Sequence, residues 1–286
     1  AATYPVSQAY IADLTTDSTR LRYLGYLGAT AGVGFIVGPL IGGTLSSIAG
    51  FGVPAFLASA LAFANRISAY LFLNESDRLR GDLTRRAVTL ENLRIILQKK
   101  VIQLLLAVYF LFFLAFMFLQ STLTPWLEKV FGFGGFETGV TFFYVGIAVA
   151  FAQVVLLPRL SKRLSNTKLA IYGLLMLFGG FLVMGVFVNL PLFLLVTGVV
   201  ALGAGLMLVT VITLISLNAP REAQGGTLGL AQALSGLAQT IAPTIATAVF
   251  TFGVSIGMVG LVFIVAALIA GCIVPFIFTF KEITKK

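Results

Sequence analysis

Gly32-Val33-Gly34-Phe35-Ile36-Val37-Gly38-Pro39-Leu40-Ile41-Gly42-Gly43 lies inside a long apolar segment, and its reading decides the fold. Gly28, Gly32, Gly34, Gly38 and Gly42 recur at spacings of two or four, which gives a helix a nearly bare stripe for close packing. Pro39 removes one backbone donor and bends that helix within the membrane. A helix that only spans lipid needs no smooth, bent face. A helix that moves against another one can use it.

The rest of the chain supplies the membrane. Hydrophobic residues make up 59% of the 286 positions, charged residues 10%, and mean hydropathy is +1.04, outside the range of soluble domains. Crossing a bilayer core of about 30 Å takes about 20 apolar residues. Runs of that length fall at 24–48, 53–73, 101–123, 138–158, 169–188, 191–217, 226–250 and 254–280, predicting eight complete spans. Of the 19 Lys and Arg, only Lys129 and Arg66 lie away from one set of alternating loops. These loops and the C-terminus are therefore expected on the cytoplasmic side. The net charge of +9 is a topology signal, so nucleic acid is not an expected partner. Trp126, beside Pro125, is expected at the outer interface, where indole rings prefer to sit.

Several chemistries are excluded. The chain has no histidine, and Cys272 is its single cysteine, so His-based catalysis, an intramolecular disulfide and metal-ligand spacing are absent. Neither a Gly-Lys-Ser/Thr phosphate loop nor a Gly-x-Ser-x-Gly elbow occurs. No enzyme, cofactor or metal site is expected. Ala1 to Asp13 reads as the cytoplasmic end of a helix whose beginning is missing, which predicts an N-terminally truncated fragment.

An internal repeat sets the organisation. A shift of 204 residues places Leu24, Gly25, Gly32, Pro39 and Ile41 on Leu228, Gly229, Gly236, Pro243 and Ile245 without a gap. Six spans separate the two Pro helices, so both run the same way, as in parallel halves related by an axis along the membrane normal. The longest loop, 74–100, carries Leu79, Leu83, Leu90, Leu93 and Leu97 among arginines and reads as an amphipathic helix on the membrane surface, or as a solvated tether.

On these residues the chain resembles the major facilitator superfamily, in particular its drug:proton antiporters of the tetracycline-efflux type. Gly34 to Gly43 resembles the Gly-x-x-x-Gly-Pro-x-x-Gly-Gly antiporter motif of helix 5, with Gly34, Gly38, Pro39, Gly42 and Gly43 in place. Gln8 to Asp13 with Arg20 and Arg22 resembles the end of helix 4 and the loop after it, and Asn74-Glu75-Ser76 the close of helix 6. Gly236 and Pro243 form the helix 11 counterpart. Leu160 to Ser165 departs from the family's loop 2-3 pattern, with Lys162 in place of the acid and Ser165 in place of the glycine. The resemblance implies an all-α membrane protein: the end of helix 4 plus helices 5–12 of a twelve-helix pseudo-twofold bundle. Residues 1–73 would be the remainder of the N-terminal bundle, 74–100 the central loop, 101–280 the C-terminal bundle and 281–286 a cytoplasmic tail. It also implies a monomer in the plasma (inner) membrane that expels a small organic substrate in exchange for protons. A metabolite symporter or uniporter and a non-transporting scaffold are the alternatives.

A transporter binds substrate near the midplane, so polar groups within spans are the candidates. None of the ten Asp and Glu lies deep in a complete span, so a proton-titrating group is expected in helices outside this sequence. Arg66 is the ionisable side chain well inside a span, and snorkelling to the cytoplasmic interface competes with a cavity role. Gln232, Ser235, Gln239 and Pro243 follow spacings of three and four, predicting one polar stripe that lines a cavity or glues helices. Gln153 has similar status. Phe113 belongs to an aromatic-rich helix pair, expected on either side of a 124–137 loop, that can hold apolar or cationic drugs or simply pack. Thr210, Thr213 and Ser216 are expected to bond back to their own helix carbonyls.

Overall fold

The computed structural model describes residues 33–34, 37–50, 52–72, 99–219 and 224–283. The expected segments 1–32 and 74–98 lie outside the described residues. Every regular element among those described is helical. The helices are α1 (Val37–Ala49), α2 (Gly52–Phe72), α3 (Lys100–Phe131), α4 (Gly135–Leu160), α5 (Asn166–Val186), α6 (Leu190–Asn218), α7 (Gln224–Ser255) and α8 (Leu261–Ile283). They coincide with the eight expected spans. Five of them, α3 to α7, are long and apolar enough to cross a membrane; α1 is a shorter apolar helix, as is Leu261–Pro275 within α8.

Two boundaries differ from expectation. The helix starting at Lys100 continues through Pro125 to Phe131, so the expected 124–137 loop shrinks to Gly132–Gly134, with Gly132 at φ 67 closing the helix. Proline is tolerated there because packing, not the one lost hydrogen bond, holds the helix. The turn expected near 251–253 falls at 256–260 instead, with Gly257 at φ 76.

The chain sorts into two compact units, residues 1–87 with 134–146 and residues 88–133 with 147–286. In the first, Gly50 (φ 77) turns α1 into α2, its N–H donating to Ser46 O at 3.0 Å. The second unit is organised around α3, which packs against α6, α7 and α8, while α5 packs against α6 and α8. Ile102, Leu105, Tyr109, Phe112, Phe116, Leu119, Leu123 and Trp126 are buried along α3 at alternating spacings of three and four. On α7 the buried positions are small: Thr227, Ala231, Ser235, Ala238, Ala242 and Ala246. A large-residue seam and a small-residue seam with the same period let the two helices interdigitate closely.

Glycines set the other crossings. A Cβ at Gly173 on α5 would lie 2.8 Å from Gly203 O on α6, and one at Gly203 would lie 2.7 Å from Gly173 O, so the two backbones touch. Gly185 and Gly260 meet in the same way between α5 and the start of α8. Ser165, which stands where the family pattern has glycine, is extended (φ −70, ψ 155) and accepts from Lys168 N as the N-cap of α5.

Trp126 is fully buried in protein. Its Nε1–H donates to Val259 O at 3.0 Å, and its ring stacks on Phe193 at 4.4 Å and meets Phe263 edge-on at 5.3 Å. The backbone carbonyl satisfies the N–H that burial removes from solvent. One indole thus ties α3 to α6 and to the α7–α8 turn.

Two outcomes follow from this packing. Gly203→Val should lower stability by about 1–3 kcal/mol because the opposing atom is backbone and cannot yield; a thermal melt in detergent reads it. Trp126→Ala should cost about 3–5 kcal/mol. Since Trp126 is the single tryptophan, the unmutated chain should show blue-shifted emission resistant to iodide until the second unit unfolds.

Candidate functional site

The side chains that sequence reasoning singled out do not all share one face. Within the second unit, Ser235 is buried in the α7 seam and donates to Gln232 O at 2.8 Å, whereas Gln232 and Gln239 are exposed. The expected polar stripe therefore splits. Gln232 and Gln239, seven residues apart, point nearly the same way, and Ser235 is turned about 60° from the first and about 40° from the second, into the helix contact.

Gln232 Oε1 lies 3.5 Å from Ser235 Oγ. On α3, Tyr109, a residue the sequence reading passed over, is only 3% exposed. The Phe113 ring, half-buried, packs edge-on against Tyr109 at 4.9 Å and Phe112 at 5.3 Å. Phe113 with Tyr109 on α3, and Gln232 with Ser235 on α7, are thus two pairs on helices that pack against each other. The signal for Tyr109 was its spacing of four from Phe113, which puts both on one helical face.

Gln153 sits elsewhere, half-buried in a π-helical stretch, Ala152–Leu156, within α4. Pro158 explains the widened turn: it has no N–H, and its ring crowds the carbonyl four residues before it. Arg159 Nη1 donates instead to Val155 O at 3.2 Å. Gly205 of α6 fits beneath this stretch, where a Cβ would lie 2.7 Å from Ala152 Cβ and 2.8 Å from Val149 O. Thr210 and Thr213 do bond back to Leu206 O and Val209 O, both at 2.7 Å.

Beyond these, α7 presents an open hollow of about 760 Å³ lined by Pro243, Thr244, Thr247, Ala248, Thr251, Phe252 and Ser255. Gly236 is exposed, and nothing lies within 4 Å of where its Cβ would be. Neither α7 nor residues 101–127 of α3 carry an acid.

The first unit holds the opening motif and Arg66. Gly34, Gly38 and Gly42 meet nothing within 4 Å, so most of the smooth stripe is unoccupied among the described residues. Gly43 differs. A Cβ there would run into Gly135 O and come within 2.9 Å of Gly139 Cα, and one at Gly139 would lie 2.7 Å from Pro39 O. Pro39 and Gly43 thus seat α1 directly on the backbone at the start of α4. Under the 204-residue shift the counterpart of Gly43 is Thr247, so the repeated helix lacks the same bare surface. Arg66 lies exposed on α2, whose side chains are exposed almost throughout.

The profile of the Major Facilitator Superfamily matches residues 1–243, and the chain belongs to that family of transporters. It is 29% identical over 259 residues to Multidrug resistance protein 1 of Bacillus subtilis (strain 168), a match covering 88% of this chain and 64% of that protein. It is 25% identical over 260 residues to Tetracycline resistance protein, class B of Escherichia coli, covering 89% of this chain and 64% of the relative. The chain therefore spans about 64% of the length of these relatives. The fold is shared with the crystal structure of a bacterial homolog of the human lysosomal transporter Spinster, inward-facing and unoccupied. That match has a TM-score of 0.75 at 14% identity and covers 97% of this chain and 74% of the other.

Paired substitutions separate the occupied and open parts of the glycine stripe. Gly139→Val should lower thermal stability by about 1–3 kcal/mol. Gly38→Val, which meets open space, should shift it by no more than about 0.5 kcal/mol. Equal losses in a melt of the two variants would show that the stripe acts through helix propensity alone.

Proposed function

We propose that this chain is the greater part of a proton-coupled efflux carrier for small amphiphilic organic molecules, working by alternating access in the plasma (inner) membrane as a monomer, with its C-terminus cytoplasmic. The observation that carries this reading is the Pro39–Gly43 face seated backbone-to-backbone on Gly135 and Gly139. Apart from Ser46, whose side chain lies against Gly135, such a contact has no side chains to unlock, so small rotations of one helix on the other cost little. Similarity to multidrug and tetracycline resistance proteins supports the efflux direction and the class of substrate.

In this reading residues 1–73 and 101–280 belong to the two halves that rock about a central site. Phe113, Gln232, Gln239 and Gln153 offer that site an aromatic wall and neutral hydrogen-bonding groups, with Ser235 behind Gln232. Arg66 supplies a positive charge from the N-terminal half. No acid lies deep in a span of this sequence, so none of its carboxylates is assigned the proton.

The test uses the full-length protein in inside-out membrane vesicles with ethidium as probe. Energised vesicles should accumulate ethidium, addition of ethidium should release protons, and a protonophore should abolish accumulation. Arg66→Leu should reduce the rate at least tenfold. Ethidium accumulation that persists without a proton gradient would replace coupled efflux by facilitated diffusion. Absence of any substrate-dependent movement would leave a non-transporting membrane protein.

A further inference from the structure

The turn that joins α4 to α5 concentrates positive charge. Arg159, Lys162, Arg163 and Lys168 fall within ten positions, and the sequence holds no Asp or Glu from 138 to 221. All four side chains are exposed, and none is paired with a carboxylate among the described residues. Arg159 donates to Val155 O at 3.2 Å, which uses one of its five N–H groups. Backbone bonds from Ser161 to Leu157 O, and from Arg163 and Leu164 to Leu160 O, hold the turn in one shape. Lys168 stands in the first turn of α5, where the helix's own field is positive and no acid offsets it. Like charges so placed repel one another, and an anion at the turn relieves that repulsion.

The same face of α5 continues as an apolar stripe. Lys168, Tyr172, Leu175 and Gly179 follow spacings of four, three and four, so they lie on one side of the helix. Tyr172 and Leu175 are exposed, and nothing lies within 4 Å of where a Cβ at Gly179 would be. The helical rise puts the three about 6, 10 and 16 Å along the axis from Lys168. α4 and α5 are both long and apolar enough to cross a membrane, so the turn lies at one membrane surface and the stripe runs from it into the hydrocarbon. A soluble anion would match the cations and leave the stripe bare. A phospholipid matches both, with its phosphate on the cations and a chain along the stripe, and Tyr172 sits where a phenol bridges the two.

We propose that Lys162, Arg163 and Lys168 bind the phosphate of an anionic phospholipid whose acyl chain lies along Tyr172, Leu175 and Gly179. Lysine supplies a compact charge, and arginine a planar fork that matches phosphate oxygens. Arg159, turned back toward Val155, adds to the field. A zwitterionic lipid gains less, because its own ammonium is repelled by the cluster. The bound lipid holds the α4–α5 turn at the membrane surface. This site names no substrate and rests only on the two helices crossing the membrane, not on transport.

The experiment uses the full-length protein with Tyr172→Trp, reconstituted in phosphatidylcholine vesicles in which dibrominated phosphatidylglycerol or dibrominated phosphatidylcholine replaces part of the lipid. Bromine on the chain quenches an indole beside it; Trp126, 0% exposed, adds a constant background. The quenching curves should give phosphatidylglycerol a preference of about tenfold at this position. Lys168→Ala should lower that preference about threefold, the effect of one basic side chain at an anionic surface partly screened by salt. Lys168→Arg, which keeps the charge, should keep the preference. The triple variant Lys162→Ala, Arg163→Ala, Lys168→Ala should remove it. Lys99→Ala with Lys100→Ala, at the start of α3, should change it by less than about twofold, because screening confines each charge to its own surroundings. Absence of quenching, equal quenching by both lipids, a preference that survives the triple variant, or an equal loss in the Lys99 and Lys100 variant would overturn the site. So would relief of the quenching by inorganic phosphate at constant ionic strength, which would assign the cluster to a soluble anion. Failure of substrate movement in the same vesicles would overturn the transport reading and leave this result in place.

Discussion

Matching of size, large against small, is the constraint on which this structure depends. Inside a bilayer, lipid tails are as apolar as leucine, so hydrophobicity cannot tell one helix face from another. Close contact can. Buried α3 positions Tyr109, Phe112, Phe116, Leu119 and Leu123 carry bulk, and the buried positions of α7, which packs against that helix, are small: Ala231, Ser235, Ala238, Ala242 and Ala246. Each heavy-atom pair contributes only about 0.1–0.2 kcal/mol, but a seam holds many such pairs.

Glycine performs a related task by another route. At Gly173 with Gly203, and at Gly43 with Gly135 and Gly139, helices approach until backbone meets backbone. The first pair fixes two helices of the second unit. The second seats the Gly-Pro helix on a surface where Ser46 is the side chain that lies against Gly135. Where the 204-residue shift puts Thr247 in place of Gly43, the face is hydroxylated and lines an open hollow. The two Pro helices thus differ in surface.

Much of the fold was legible because it rests on length and composition. Apolar runs predicted eight helices, and eight occupy those positions among the described residues. Misplaced boundaries had one cause: polar or proline residues were taken as loop signals. Thr124-Pro125 instead lies inside α3, where neighbouring helices hold the chain through the missing hydrogen bond. The candidate site was half legible. Gln232 and Phe113 were found as polar and aromatic groups within spans. The partner of Trp126 was not legible either: the carbonyl of Val259, 133 residues away in sequence, makes its burial tolerable.

Sequence alone determined the class of molecule, the positions of the apolar helices, the absence of histidine chemistry and the family motif, because each is a property of local composition and spacing. Tertiary structure decided which face of each helix is occupied. Gly34, Gly38 and Gly43 look alike along the chain, yet only Gly43 of the three is pressed against another backbone. Likewise, Ser235 turns into a seam while Gln232 and Gln239 turn out of it. Periodicity limits the faces a helix can offer; contact with a neighbour of complementary size selects one.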